Sequence, residues 1–268
     1  MSTNNIVTKS YKRLVIQIAQ NKITYAVFDN ISQGVKEVIE EALDFDSPIE
    51  IQLQNALQEL INLKVNYDQI KILHDNNLNS FVPKALFDKD KLGIYLQYNT
   101  KVFESDFFAY DTLGDFEMVN IHVPYVHINN ALLDIFPAFE YKNANTVLVE
   151  KVIHLSKNKF EKEVYIHIQK GHFEMVVVDN LKLLLYNSFD YKTPEDFIYY
   201  ILFNLEQLGL NPENIKTFVL GDFEVDDPNF QIAYKYIRHI SPLDVHNQQL
   251  FNGLDNKDNL KYFTLLHA

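Results

Sequence analysis

Residues 16–30, IQIAQNKITYAVFDN, recur 150 positions later as residues 166–180, IHIQKGHFEMVVVDN. The two copies are identical at Ile16/Ile166, Ile18/Ile168, Val27/Val177, Asp29/Asp179 and Asn30/Asn180, where unrelated segments this short share about one residue. Each copy reads as a β-hairpin. An apolar strand leads into a short polar turn, Gln20-Asn21-Lys22 or Lys170-Gly171-His172, and a second strand ends in Asp-Asn. A duplication of this kind decides architecture before any single motif does.

The match runs on into the next elements. LDFDSP at 43–48 lies over FDYKTP at 189–194, so Ser47 and Thr193 each precede a proline, with Glu50 and Asp196 three residues further on. That pattern predicts a helix start, with proline in the first turn and hydroxyl and carboxylate capping the free amides reciprocally. The helices so predicted lie near 48–63 and 194–208, with Leu53, Leu57 and Leu60 on one apolar stripe and Phe197, Ile198, Ile201 and Leu205 on the other. A further strand follows in each copy, IKIL at 70–73 over IKTF at 215–218. Three strands, a helix and a strand, made twice, predict an α/β protein of two tandem units with mixed sheets. The expected boundary gives an N-terminal half, 1–158, and a C-terminal half, 159–268, each with a net charge of −6.

Composition narrows the function classes. The 268 residues carry 36 acidic and 24 basic side chains, a formal charge of −12, and only two of the bases, Arg13 and Arg238, are arginines. Nucleic-acid binding is not expected of such a chain, because phosphate backbones are gripped by dense basic faces. With no cysteine, disulfides, thiolate nucleophiles and thiolate metal centres are excluded, and a cytoplasmic location is the simplest expectation. The opening MSTNNIVTKS has no apolar core of a secretory signal, and the longest apolar runs, such as FIYYILF at 197–203, fall well short of the roughly 18–20 residues of a spanning helix. No membrane association is expected.

A duplicated β-β-β-α-β-α unit resembles the ribonuclease-H-like fold, and two such units in one chain resemble the actin-like ATPases. In addition, LVIQI at 14–18, SFVP at 80–83 and NSFDYKTPEDFIYYIL at 187–202 resemble an uncharacterised bacterial family of unknown function for which an actin-like fold is the expectation. The actin-like resemblance implies an ATP cleft between the halves, with an Asp-x-Gly-type turn after the first strand of each half and a glycine-rich adenosine segment in the second. Here the first turn is Ala19-Gln20-Asn21, with neither residue, and the second offers Lys170 and Gly171 without the aspartate. The adenosine segment would fall at Gly221-Asp222, one glycine followed by Asp222, Glu224, Asp226 and Asp227. Were nucleotide bound, Lys170, Gly171, Gly221 and Asp222 would be the cofactor-binding residues, with ATP and magnesium as the ligands. Strand-to-loop geometry is the preferred account of Gly221.

Other candidates read as structure. His122/His127 and His167/His172 share a five-residue spacing, which along a strand points side chains to opposite faces, so no metal site is expected. Asp29-Asn30 and Asp179-Asn180 read as strand-ending turns, and His74-Asp75 ends a strand where ligands of α/β folds often lie. No catalytic residue is assigned. One segment stands out: FESDFFAYDTLGDF at 103–116 combines five aromatics with four acids and no base. Either its aromatics turn inward from an edge strand, or Phe103, Phe107, Phe108 and Tyr110 anchor a partner protein that the carboxylates steer. The reading is a non-catalytic scaffold or regulatory protein-binding module, with an ATP-dependent switch or weak ATPase as the alternative.

Overall fold

The structure is a computed structural model that describes residues 10–32, 34–44, 47–63, 65–98, 100–103, 105–244 and 254–268. Residues 1–9, Phe45, Asp46 and Glu104, which enter the sequence reading, lie outside it. The chain opens with β1 (Lys12–Ile18), β2 (Lys22–Asp29), β3 (Gly34–Ala42), α1 (Ile49–Ala56), α2 (Gln58–Leu63) and β4 (Gln69–His74). There follow β5 (Asn79–Pro83), α3 (Leu92–Leu96), β6 (Ala109–Leu113), β7 (Met118–His122), α4 (Val126–Leu133), β8 (Glu140–Asn143) and α5 (Ala144–Leu155). The remainder is β9 (Glu163–Gln169), β10 (His172–Asp179), β11 (Lys182–Asp190), α6 (Pro194–Gln207), β12 (Lys216–Gly221), α7 (Pro228–Tyr236), β13 (His239–Pro242), α8 (Asn256–Lys261) and α9 (Phe263–Leu266).

Two five-stranded sheets share one topology, β3-β2-β1-β4-β8 and β11-β10-β9-β12-β13. In each, an antiparallel meander of three strands is continued by two parallel ones. This is the duplicated α/β order expected from the repeat. The central strands are nearly continuous apolar runs because both faces are covered: all of β9 but Gln169 is buried. One face of the first sheet packs on α1 and α4 through Leu14, Ile16, Leu53, Leu57, Ile128 and Leu132, and one face of the second packs on α6 and α7 through Ile166, Phe173, Phe197, Ile201 and Phe230.

The other faces are joined by α5 and α9. Ala144 and Val147 of α5 cluster with Val15, Ala26 and Leu73, whereas Leu148, Val149, Val152 and Ile153 cluster with Tyr165, Val176 and Val178 of the second sheet. Likewise Phe263 belongs to the second core while Leu265 and Leu266 belong to the first. Both helices are therefore apolar on two sides.

The two helix starts differ from one another. Thr193 Oγ1 accepts from the Asp196 amide and Asp196 returns the bond to the Thr193 amide, a complete capping box with Pro194 in the first turn. At the first copy α1 begins at Ile49 with no side-chain cap, and Ser47 Oγ donates to Asp44 instead. The expected Ser47/Glu50 box is corrected accordingly. Gln52 takes over the end, accepting from the Asp44 amide and donating to the Asp44 and Ser47 carbonyls. Replacing Thr193 by alanine should cost about 1 kcal/mol in denaturant unfolding, and replacing Ser47 should cost no more than about 0.5 kcal/mol.

Between β4 and β8 the first unit carries an addition that the second lacks, the antiparallel sheet β5-β7-β6. Its own small core joins Val82, Leu96, Val119 and Ile121, with Phe108 packed against it. A buried polar network ties this sheet to the rest. Asn79 Nδ2 donates to Asn120 Oδ1, Asn120 Nδ2 to Thr146 Oγ1, and Thr146 to Asp111 Oδ2 at 2.6 Å. Tyr186 of β11 donates to Asn79 Oδ1. Burial raises the Asp111 carboxyl above its ordinary value, and pushes buried His122 down to about 4.

Candidate functional site

The sheets meet at a cleft of about 670 Å³ walled by the β1–β2 and β9–β10 turns, the ends of β4 and β12, and Lys261, Tyr262 and Thr264. Its polar centre is Asp75, 6% exposed, which sits immediately past β4. Gln17 Nε2 donates to Asp75 Oδ2 at 2.7 Å and Gln169 Nε2 to Oδ1 at 3.3 Å. One carboxylate is thus held by an amide from each sheet. Thr264 Oγ1 donates to Gln17 Oε1 and fixes that amide in turn.

Beside it, His167 and His172 converge on a single buried acceptor. His167 Nδ1 lies 2.8 Å from Glu174 Oε2 and His172 Nε2 lies 3.3 Å from Oε1. The two histidines thus converge across the hairpin, and their expected placement on opposite faces is corrected. His167 pairs in register with Glu174 across the hairpin, and His172 lies on the same face as Glu174, two residues away. Burial opposes the charged form of His172, but the hydrogen bond and charge of Glu174, with Asp75 and Asp190 beyond, hold it up at about 9. Glu174 is correspondingly low, burial being outweighed by its two histidine donors. His74 is neutral in the fold: its Nδ1 accepts from the Tyr125 amide and its Nε2 donates to Asn129 Oδ1. Burial takes it to about 4.

The cations along the cleft are largely committed to carboxylates of the chain. Lys22 pairs with Glu40 at 3.0 Å, Lys261 approaches the same carboxylate at 3.6 Å, and His172 bonds Glu174. Lys170, exposed at the tip of the second turn, also lines the cleft, which holds the carboxylates of Glu40, Asp75, Asp190 and Asp222 as well. Acidic and basic side chains are thus interleaved along the cleft wall. Among the described residues no group of three or more His, Asp and Glu is arranged to hold a metal ion.

Of the residues read for nucleotide contact, Lys170 and Asp222 line this cleft, and Gly171 sits at φ +83° in the second turn. Gly221 has a different reason to be glycine. At φ +97° a Cβ there would stand 2.1 Å from the Ile168 carbonyl oxygen, while the Asp222 amide donates to that same oxygen at 2.8 Å. Beyond it, Glu224 pairs with Lys257 and Asp227 caps α7 by accepting from the Asn229 amide.

His127 proves to lie on α4 and to be exposed, rather than on a strand with His122. Asp29 Oδ1 accepts from the Ile31 and Ser32 amides, and Asn180 adopts φ +40° while accepting from the Asn158 amide. Both therefore have turn roles.

The 103–116 aromatics divide. Phe103, Phe107 and Tyr110 are 53%, 59% and 46% exposed, and Phe103 and Phe107 line an open groove of about 900 Å³ with Leu92, Ile94 and Val102. Phe108 instead packs over Gly93 into the small core, which corrects its reading as a free anchor. The acidic steering is corrected too. Asp111 is buried in the polar network, Asp106 accepts from the Phe103 amide, and Lys89, Lys91 and Lys101 share the groove with Asp90. Asp111 turns inward because alternate residues of β6 face opposite sides, so residue counting over-read the surface charge.

A family model described as "Protein of unknown function (DUF3822)" matches residues 1–240. The chain belongs to this family. No curated protein matches it. A Bacteroides thetaiotaomicron protein with actin-like ATPase fold and unknown function is 20% identical, covers 96% of each chain and superposes with a TM-score of 0.80. The PilM–PilN type IV pilus biogenesis complex provides a second likeness, 11% identical over 95% of this chain and 96% of that one, with a TM-score of 0.53. The fold of this DUF3822 member is thus the actin-like ATPase fold. Among its described residues no helix is long and apolar enough to cross a membrane.

Proposed function

We propose that this protein is a non-catalytic member of the actin-like fold, a scaffold or regulatory module of the cytoplasm built from halves 1–158 and 159–268 that binds another protein. One observation carries the reading: the groove on the added sheet, where Phe103 and Phe107 stand largely in solvent beside Ile94. Contiguous exposed apolar surface of this kind serves association. The Asp75 carboxylate held from both sheets and the pairing of Lys22 and Lys261 with Glu40 speak against triphosphate binding. That a solved relative in fold is part of the PilM–PilN complex is consistent with a protein partner, at the level of fold alone.

The test separates surface from core. Phe103→Ser/Phe107→Ser should leave unfolding within about 1 kcal/mol of the parent and abolish co-purification of a stoichiometric partner from the source cells. Phe108→Ser should cost about 2 kcal/mol by opening the small core. Retention of that partner by the double variant would refute the docking role. The second reading, an ATP-dependent conformational switch or weak ATPase, draws on the open cleft with Lys170 and Asp222 on its wall.

A further inference from the structure

A second cavity, of about 340 Å³, lies away from the cleft, on the face of the first sheet that α5 crosses. Its wall includes Lys71 of β4, Lys142 of β8 and Lys151 of α5, around Leu73 and Val147. Strand register explains the gathering. Lys71 pairs with Glu140 and Leu73 with Lys142, so both lysines project from one face two residues apart on neighbouring strands. Arg13 of β1 pairs with Gln69 and joins the same face, so that three adjacent strands and a helix each deliver one cation. In a chain with a formal charge of −12, this wall holds more lysines than carboxylates, three against Glu140 and Glu150.

The chain compensates the cluster in part, through Glu140 and Glu150 on the same wall, but without direct ion pairs. Among the described residues none of the three lysines lies within 4.0 Å of a carboxylate oxygen. Arg13 donates to the Ala268 carbonyl oxygen, and its Nε is buried without a hydrogen-bond partner. Burial, and then the charges of Arg13 and Lys142, lower Lys71 against the opposing pull of Glu140 and Glu150, and burial lowers Lys151. Like charges held half-buried together cost free energy that an anion between them would offset.

We propose that this cavity binds a small organic phosphate, its dianionic head between Lys71, Lys142 and Lys151 and its apolar body over Leu73 and Val147. A phosphate monoester matches three ammonium donors better than a monocarboxylate does, and the volume suits a compact organic group. The site is separate from the cleft and from the aromatic groove, and it does not depend on the partner-binding reading.

Phenyl phosphate is the probe, titrated calorimetrically into the full chain at low ionic strength, with inorganic phosphate and benzyl alcohol alongside. Saturable binding of phenyl phosphate is expected, weaker for inorganic phosphate and undetectable for benzyl alcohol. Lys71→Gln/Lys151→Gln should weaken phenyl phosphate by at least about tenfold. The same variant without ligand should unfold at an equal or higher temperature than the parent, because two like charges have gone. Lys170→Ala, in the cleft, should bind phenyl phosphate as the parent does. The proposal is overturned by the absence of saturable binding, by binding that survives the double substitution, by binding lost in Lys170→Ala, or by a double variant that is less stable than the parent.

Discussion

Gly221→Ala is expected to destabilise the protein by at least about 4 kcal/mol, the range reached when a side chain collides with backbone and cannot move away. The added methyl would fall 2.1 Å from the Ile168 carbonyl oxygen and 2.8 Å from its amide nitrogen, and φ +97° is already costly for an L-residue. Relief would require β12 to separate from β9 and break the Asp222–Ile168 bond. Gly171 is the internal control. Its φ is also positive but nothing lies within 4 Å of an added Cβ, so Gly171→Ala should cost about 1 kcal/mol. Equal denaturation midpoints for the two variants would contradict the packing account. The contrast matters for function as well, since any activity lost with Gly221 reports on the fold and not on a nucleotide.

Stability should fall steeply as pH drops from 6.5 towards 4. His74 and His122 are buried and His267 is part-buried, and desolvation lowers each from 6.5 to about 4, so the unfolded chain binds the more protons throughout that interval. Their contribution is complete above the unfolded value and is lost as pH falls through the folded one. Each is worth on the order of 2–3 kcal/mol, and together they rival the net stability of a domain. His172 has the opposite sign. Held at about 9, it stabilises fully below 6.5 and loses that contribution as pH rises through 9. Unfolding temperature should therefore peak near neutrality. His122→Gln should flatten the acid limb, and an acid limb of unchanged slope in that variant would refute the assignment.

What could be read from the sequence follows from which interactions are local. Strand alternation, the recurring Asp-Asn turns and the Thr193–Asp196 cap are encoded within a few residues, and both sheets form as the repeat implied. Gly221 was legible as a turn, though the Ile168 carbonyl that requires glycine lies over fifty residues away. The clamp on Asp75 needs Gln17, Gln169 and the end of β4 brought together, and no spacing announces it. His167 and Glu174 were closer to hand, since counting outward from the Lys170-Gly171 turn places them opposite one another. The added sheet escaped because its strands are only five residues each, too short for alternation to separate Asp111 facing in from Tyr110 facing out. The crossing of α5 and α9 between the sheets leaves them apolar on two sides, a pattern that names burial without naming the partner surface.

Thermal unfolding with and without millimolar ATP and magnesium tests the central claim most directly. A ligand at one hundred times its dissociation constant adds about 2.7 kcal/mol to stability, readily seen as a rise in unfolding temperature. A cleft in which Lys22 and Lys261 are paired with Glu40 and the Asp75 carboxylate is held from both sheets predicts no rise. A rise that disappears in Lys170→Ala would contradict the reading of the cleft as closed to triphosphate, make it a nucleotide site and favour the ATP-dependent switch.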